Sequence, residues 1–328
     1  MPEVVSLGVD LGGTKIEAAV LRRWNEGADE RFEVLVRRRV PTGAEGGYEA
    51  VLEATLALIR GVAADIGRRP EALPTGLGMP GSITRREGLV KNSNTVCLNG
   101  RPFRQDLGNA LGGRVEFEND ANCFALAEAR LGAGRAYRDG IVFGVILGTG
   151  VGGGIVVNGR VWGGLQGIAG EWGHHAVGPW RSADRASEAA DGRELGLGLA
   201  ERGPCYCGKT GCLELYASGP AVERDYLRRT GRHARLPEIA ARRANDPDAA
   251  RALDEMLEAL GRGLATLIDI LDPTAIVLGG GVSNLDFLYT EGVERVRRLV
   301  FNDELLTPIV RHELGDSAGV LGAALLAG

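Results

Sequence analysis

Three cysteines and one histidine carry the most recognisable chemistry in this sequence. The cysteines have the spacing Cys-x-Cys-x4-Cys at Cys205, Cys207 and Cys212, and His174 ends an upstream Gly-Glu-Trp-Gly-His run. Three thiolates and one imidazole form the ligand set of a closed, tetrahedral zinc site. The sequence therefore predicts that these four residues bind structural zinc.

Two other interpretations of the cysteines stay open at this stage. Buried cysteines behave as small hydrophobic residues, and neighbouring cysteines also serve redox chemistry. Redox pairs usually have the spacing Cys-x-x-Cys beside a βαβ unit, which differs from the spacing here. The remaining cysteines, Cys97 and Cys123, stand alone, and we expect ordinary buried thiols at both positions.

Two glycine-rich turns, each with a threonine, lie between apolar runs that resemble strands. They occupy Asp10–Lys15 and Leu147–Gly154. Neither is a P-loop or a dinucleotide fingerprint, because both of those motifs open a helix. Glycine backbone N–H groups can surround phosphate oxygens, and Asp10 suits a magnesium ion held between carboxylate and phosphate. The repeated pattern indicates an internal duplication with two phosphate loops.

Asp120 is the candidate for proton transfer. It lies between a predicted strand and an alanine-rich run with helical spacing. A carboxylate at this position can cap the helix, and it can also serve as a general base. Its neighbour Asn119 can hydrogen-bond a substrate hydroxyl. Phosphoryl transfer needs mainly positioning, charge neutralisation and an oriented nucleophile, so this pair fits beside phosphate loops.

The elements that must position these residues alternate between strands and helices, which is typical of an α/β fold. Apolar runs predict strands over residues 4–9, 16–21, 32–37, 75–79, 115–118, 140–147, 155–157 and 275–278. Helical spacing predicts helices over residues 47–64, 121–131, 221–227, 249–271 and 319–327. The polar segment 179–203 predicts a loop, and the arginine run 37–39 indicates a solvated strand edge.

Composition narrows the class of protein. The chain has 328 residues, with 44% hydrophobic and 25% charged residues, which is typical of a soluble enzyme of about two domains. Its net charge of −5 argues against nucleic-acid binding. We find no apolar run that would span a bilayer and no signal peptide. The cysteine usage fits a reducing compartment, so we expect a cytoplasmic protein.

Taken in order, these motifs resemble the ROK family of sugar kinases, within the actin–hexokinase–Hsp70 superfamily. The matching segments cover essentially the whole chain: Asp10–Lys15, Glu118–Asn122, Leu147–Gly154, Gly170–His174, Cys205–Glu214 and Leu278–Val282. The resemblance implies a two-domain actin–hexokinase-like (ribonuclease-H-like) α/β fold. It would carry duplicated β-hairpin phosphate loops and a zinc-stapled loop. We expect a small domain of residues 1–120 plus helix 315–328, and a large domain of residues 121–314 with the zinc site.

The resemblance also implies a role for each matching residue. Asp120 would be the catalytic base. ATP with Mg²⁺ would be bound by Asp10, Gly12, Gly13, Thr14, Lys15, Gly148, Thr149, Gly150, Gly152, Gly153, Gly279, Gly280 and Gly281. The sugar would contact Gly81, Asn119, Asp120, Glu171, His174 and Glu214. His174 would use one ring nitrogen for zinc and the other for the sugar, because the two imidazole nitrogens are distinct.

The implied reaction is transfer of the γ-phosphate of ATP to the C6 hydroxyl of a hexose. Fructose is favoured, because Val90–Phe103 and Pro204–Lys209 are similar to the bacterial fructokinase/mannokinase branch. N-acetylglucosamine kinase and glucokinase or mannokinase remain alternatives, because Asn119–Leu126 and Gly148–Gly154 also resemble N-acetylglucosamine kinases. The stretch between the predicted histidine and cysteine ligands is longer than is typical of the family.

A non-catalytic sugar sensor is the alternative from another class. The repressor branch of the family begins with a helix-turn-helix, whereas this sequence starts on the first predicted strand. The resemblance implies that the protein forms a homodimer or homotetramer. Its small-molecule partners would be the sugar and ATP.

Overall fold

The computed structural model describes residues 3–27, 29–84, 86–178 and 199–328. The strands are β1 (Val4–Leu11), β2 (Lys15–Glu26), β3 (Asp29–Pro41), β4 (Thr75–Met79), β5 (Ser82–Ile83), β6 (Val90–Lys91), β7 (Val115–Asn119), β8 (Ile141–Leu147), β9 (Val151–Val157), β10 (Arg160–Val161), β11 (Ala275–Gly279) and β12 (Ile309–Arg311). The helices are α1 (Gly47–Asp65), α2 (Phe103–Leu111), α3 (Asp120–Arg130), α4 (Glu214–Ala217), α5 (Gly219–Thr230), α6 (Leu236–Arg242), α7 (Pro247–Leu271), α8 (Glu291–Leu299) and α9 (Ala318–Leu326).

Every strand and helix expected from the sequence has a counterpart among these elements. The helices α2, α4, α6 and α8 and several short strands were not predicted. Most of the predicted loop over residues 179–203 lies outside the described residues. Of the helices that the structure describes, none combines the length and the apolar character needed to cross a bilayer.

The first sheet has the strand order β3-β2-β1-β4-β7. The strands β1, β2 and β3 pair antiparallel, whereas β4 runs parallel to β1 and β7 parallel to β4. The carboxyl ends of β1, β4 and β7 therefore meet at one edge, with Asp10, Gly78 and Glu118 in register. Open α/β sheets bind their ligands outside this edge.

The second sheet has the order β10-β9-β8-β11-β12. It repeats the arrangement of the first, since a hairpin with a glycine turn lies beside a later strand in both. The strand β9 begins earlier than predicted, so that Gly152, Gly153 and Gly154 belong to the strand and not to the turn. Glycine is required inside it because a Cβ at Gly154 would lie 2.7 Å from the carbonyl oxygen of Ala121.

The contacts divide the chain into two compact units. The first comprises residues 1–144, 154–169 and 313–328, and the second comprises residues 145–153 and 170–312. The predicted division at residue 120 would separate α3 from the first sheet. In the contact-based division α3 stays with the first unit, where it packs against α9.

Glycines allow α9 to pack with its backbone directly against its neighbours in the first unit. A Cβ at Gly76 on β4 would lie 1.9 Å from the carbonyl oxygen of Ala323. On the helix itself, a Cβ at Gly322 would lie 1.8 Å from the carbonyl oxygen of Cys123 in α3. No side chain fits at either contact, so α9 is held closely between the first sheet and α3.

We expect Gly76→Ala to lower the free energy of unfolding by about 1–3 kcal/mol or more, because its methyl group would overlap the main chain of α9. Gly113→Ala is the matched control, since a Cβ there meets nothing within 4 Å. The control should change stability by less than about 0.5 kcal/mol. Urea unfolding followed by circular dichroism measures both variants, and equal stabilities would contradict the direct backbone contact.

Candidate active site

The predicted site residues lie in two groups, one in each unit, and each group is described by itself. In the first unit, the turn after Asp10 is closed by the N–H of Gly12, which donates to the carbonyl oxygen of Lys15 at 2.9 Å. Thr14 is exposed at the tip of this turn. Thr42, which follows β3 and is fully buried, holds the turn from behind. Its hydroxyl donates to the carbonyl oxygen of Gly12 at 2.7 Å.

Thr42 also supports the turn through its main chain, a contribution that was not predicted. Its backbone N–H also donates to the carbonyl oxygen of Thr14, at 3.1 Å. Because both bonds join residues about 30 positions apart, no local pattern indicated them. Thr42 therefore fixes the conformation of a loop whose exposed glycine and threonine were predicted to bind phosphate.

Asp10 lies at the end of β1 opposite a second acidic residue, Glu17, on β2. Glu17 is buried and forms ion pairs with Arg37 and Arg39. The predicted solvated edge is confirmed, because β3 is the edge strand of the sheet and all three arginines are exposed. The ion pairs with Glu17 were not predicted. Side chains alternate along a strand, so Arg37 and Arg39 share the face toward Glu17 while Arg38 pairs with Asp65 on α1.

The pKa of Asp10 is raised from its ordinary value of 3.8 to about 6. Burial is the largest cause, and the negative charge of Asp120 is the next. Glu17 raises this pKa further, whereas Lys15 and Arg39 lower it. Asp10 and Asp120 therefore form a pair of neighbouring carboxylates at the carboxyl edge of the first sheet. Such a pair can bind a divalent cation through its oxygens.

Asn119 joins this pair to the turn at Gly81. Its side-chain oxygen accepts from the backbone N–H of Ala121 at 2.9 Å, and its amide donates to the carbonyl oxygen of Gly81 at 3.0 Å. Asn119 is thus the cap of α3, and Asp120, which we had considered as the cap, is the first helical residue. Gly81 has a φ of 95°, and a Cβ there would lie 2.5 Å from the carbonyl oxygen of Lys91. The structure therefore brings three predicted sugar-binding residues together.

The two isolated cysteines differ in their surroundings. Cys123 is completely buried, and its sulfur would lie 2.8 Å from a Cβ at Gly78. Burial, followed by the charge of Glu118, raises the pKa of Cys123 well above its ordinary range, so it stays a neutral thiol. The prediction is confirmed for Cys123 and wrong for Cys97, which is only half-buried.

In the second unit, the predicted nucleotide loops lie together. The N–H of Gly148 donates to the carbonyl oxygen of Gly150 at 2.9 Å, which leaves Thr149 exposed at the turn. The loop after β11 lies against the start of this turn, since a Cβ at Gly280 would be 2.4 Å from the carbonyl oxygen of Leu147. Gly280 has a φ of 81°, which favours glycine. The segments 148–153 and 279–281, predicted separately, are thus neighbours.

Two segments of this unit were predicted to hold the sugar: Gly170–His174 and the segment that contains Glu214. Both are hydrogen-bonded to the hairpin formed by β8 and β9. The indole N–H of Trp172 donates to the carbonyl oxygen of Gly152 at 2.9 Å. The backbone N–H of Val151 donates to Oε2 of Glu214 at 3.0 Å. Glu171 extends its side chain into solvent. One oxygen of Glu214 is therefore committed to the hairpin.

The structure also brings together the four predicted metal ligands. The donor atoms of His174, Cys205, Cys207 and Cys212 all lie within 4.8 Å of one another. Cys205 Sγ is 3.5 Å from His174 Nδ1, and the Sγ atoms of Cys207 and Cys212 are 3.6 Å apart. Ligands at about 2.0–2.3 Å from a tetrahedral zinc ion would be about 3.5–3.8 Å apart, so the spacing fits zinc.

The second ring nitrogen of His174 has a partner that the sequence analysis missed. Nε2 lies 2.8 Å from the hydroxyl oxygen of Tyr206, and the two rings meet edge to face with centroids 5.0 Å apart. The side chain of Tyr206 is 82% exposed. Nε2 was predicted to bind the sugar, and this role remains a prediction.

The comparisons with known proteins agree with this architecture. The sequence profile described as the ROK family matches residues 6–328, and the chain therefore belongs to the ROK family. The chain is 35% identical over 325 residues to an N-acetyl-D-glucosamine kinase from Photobacterium profundum, and the match covers 97% of this chain and 98% of the relative.

Solved structures show the same two-sheet α/β fold. A ROK hexokinase from Thermus thermophilus is 36% identical with a TM-score of 0.79, and the match covers 99% of this chain and 97% of the other. A ROK family glucokinase from Streptomyces griseus, solved with glucose and AMPPNP, is 28% identical with a TM-score of 0.69. That match covers 98% of this chain and 99% of the other. The predicted family is confirmed.

We expect Asp10→Asn to raise the free energy of unfolding at pH 7.5, because it removes a buried charge that faces Asp120. The difference between a pKa of about 6 and the ordinary 3.8 corresponds to a penalty of roughly 1–3 kcal/mol for the ionised group. Because the folded pKa is the higher one, this penalty is absent below about pH 4 and grows as the pH rises through 6.

Urea unfolding at pH 7.5 and pH 4, in magnesium-free buffer, measures this difference. The stability gain of Asp10→Asn should shrink at the lower pH. Asp303→Asn, at an exposed position in the other unit, is the control and should show no gain. A gain that stays constant between the two pH values would rule out the like-charge explanation.

We expect the purified protein to contain about one zinc ion per chain, as one closed four-ligand site requires. Cys212→Ser should abolish zinc binding and lower the melting temperature, because the metal joins His174 to the cysteine loop. Cys97→Ser, outside the cluster, should change neither quantity. Metal analysis by mass spectrometry and thermal unfolding provide the two measurements, and full stability of a zinc-free protein would refute a structural metal.

Proposed function

We propose that this protein is an ATP-dependent sugar kinase that transfers the γ-phosphate to the C6 hydroxyl of N-acetylglucosamine. The observation that carries the chemistry is the neighbouring pair Asp10 and Asp120 at the carboxyl edge of the first sheet. One carboxylate can hold a cation while the other accepts a proton, which are the two tasks that phosphoryl transfer requires of acidic residues.

Asp120 is the group we assign to the proton. It opens α3, where the helix dipole favours its negative charge, and one of its oxygens accepts from the N–H of Ala121 at 2.9 Å. Its neighbour Asn119 is fixed at both ends of its amide group. Asp120 would therefore present a carboxylate in a set orientation to the attacking C6 hydroxyl.

The phosphates are assigned to the backbone of the two glycine hairpins, because the tips at Thr14 and Thr149 are exposed. Lys15 adds a positive charge at the first tip. Mg²⁺, held through Asp10, would neutralise the charge of the phosphates. The loop at 279–281 is assigned to the adenosine side. The sugar hydroxyls are assigned to Asn119, Glu171, His174 and Glu214.

The choice of N-acetylglucosamine is supported by the relative from Photobacterium profundum, which matches over nearly its whole length. Fructose, which two segments of the sequence favoured, finds no support among the relatives described above. Glucose is the second candidate, because the Streptomyces griseus glucokinase, solved with glucose, is 28% identical and its match covers 98% of this chain.

The sugar is tested by measuring ADP release with N-acetylglucosamine, N-acetylgalactosamine, glucose, mannose and fructose. N-acetylglucosamine should give the highest kcat/KM, and its 6-deoxy analogue should give no turnover. A preference for fructose or glucose would overturn the choice of sugar. Sugar binding without ADP release from any member of the panel would instead indicate a non-catalytic sensor.

We expect Asp120→Asn to lower kcat by roughly 10²- to 10⁴-fold, the usual contribution of a general base. The KM for sugar should change only a few-fold, because the amide keeps the shape of the side chain. Asp139→Asn, at an exposed position of the same unit, is the control and should leave both constants unchanged. Near-normal turnover of Asp120→Asn would remove the assignment of the base.

A further inference from the structure

We propose that Tyr206 blocks the sugar-binding nitrogen of His174 in the sugar-free protein, and that a sugar hydroxyl must displace it. This inference rests on the proposed function, because it takes His174 as a sugar ligand. It goes beyond that function by giving an internal competitor for the sugar.

Only one of the two ring nitrogens of a neutral histidine carries a proton. Nδ1 of His174 faces the cysteine sulfurs, so it is the nitrogen that would bind the metal through its lone pair. The proton of the neutral imidazole is then on Nε2, which has a single N–H to donate. In the structure this nitrogen is 2.8 Å from the hydroxyl oxygen of Tyr206. A sugar oxygen can take the same hydrogen bond only when the phenol leaves.

The side chain of Tyr206 can easily leave its hydrogen bond with His174. The residues on either side of Tyr206 are Cys205 and Cys207, two of the four predicted metal ligands whose donor atoms lie within 4.8 Å of one another. The side chain between them is 82% exposed, so it can change rotamer without moving the loop. Exposed side chains change rotamer within picoseconds to nanoseconds. The block is therefore a local equilibrium that sugar binding can shift.

The hydroxyl of Tyr206 lies close to the residues that are assigned to the sugar. The backbone N–H of His174 donates to the carbonyl oxygen of Glu171 at 3.3 Å, and the N–H of Leu213, which precedes Glu214, donates to the carbonyl oxygen of His175 at 3.0 Å. The hydroxyl that contacts His174 therefore lies beside the chain segments that carry the two carboxylates assigned to the sugar. A sugar hydroxyl bound to His174 Nε2 would have to take the place of the phenol oxygen.

The sign of the effect separates this proposal from a direct role in sugar binding. If Tyr206 competes with the sugar, removing its hydroxyl increases the fraction of binding-competent protein, and the apparent Kd for sugar falls. If Tyr206 instead contacts the sugar, its removal raises the Kd. The net contribution of one exposed hydrogen bond corresponds to a change of about 2- to 10-fold.

The experiment is calorimetric titration with N-acetylglucosamine in the absence of ATP, using the wild type, Tyr206→Phe and Tyr206→Ala. Both variants should bind the sugar about 2- to 10-fold more tightly, with unchanged KM for ATP. Tyr289→Phe loses a hydroxyl that donates to the carbonyl oxygen of Ser283 and should bind the sugar as the wild type does. The zinc content of each variant shows that the cluster is intact.

An equal or higher Kd in both Tyr206 variants, with normal zinc content and normal wild-type turnover, would overturn the competition and leave the proposed function standing. If the wild type neither binds nor phosphorylates any sugar of the panel, the proposed function itself fails. The two failures are thus distinguishable in one set of proteins.

Discussion

Two negative charges held close together at one edge of a sheet are the constraint on which the first unit depends. Asp10 lies near the end of β1 and Asp120 directly follows β7 as the first residue of α3. Parallel pairing through β4 brings the ends of those two strands to the same edge. Burial is the largest cause of the raised pKa of Asp10 and repulsion by Asp120 is the next, and both oppose folding with Asp10 ionised. The surroundings offset part of the repulsion, because α3 directs its positive end toward Asp120 and Arg39 lies near Asp10.

The same edge explains why so many contacts in this unit are made by glycine. The helix α9 starts beside Asp10, where a Cβ at Gly319 would lie 2.7 Å from Oδ2 of that residue. Further along, α9 touches the sheet and α3 through Gly76 and Gly322. Close packing of main chain on main chain thus keeps the carboxylate partly out of water, which is the origin of its high pKa.

Much of the fold was predictable because its signals are local. The glycine turns lie between adjacent runs of apolar residues, and the cysteine spacing fits within eight positions, so both could be recognised from short segments. The interactions that escaped prediction are long-range. Nothing near Thr42 indicates the turn at Gly12, and only the pairing of β2 with β3 reveals that Arg37 and Arg39 face Glu17.

In the candidate site, too, the features with local sequence signals were predicted and the long-range contacts were not. The acidic residue at the start of α3, the four metal ligands and both hairpins were predicted from motifs, and the structure brings each set together within its own unit. The partner of His174 Nε2 was missed because a residue between two cysteines gives no sign of where its side chain points. Fructose was favoured on the basis of two loop segments, and loops tolerate change more readily than the strands and turns that position the chemistry.

The bond between Glu214 and Val151 limits the kind of ligand group that this side chain can contact. An ionised carboxylate only accepts hydrogen bonds, and Oε2 is already engaged by a backbone N–H. A ligand group that meets this side chain must therefore be a donor, such as a ring hydroxyl or an amide N–H. If an N-acetyl sugar binds as proposed, the carbonyl of its acetyl group would be repelled there, and the polarity of this side chain would favour one orientation of the sugar.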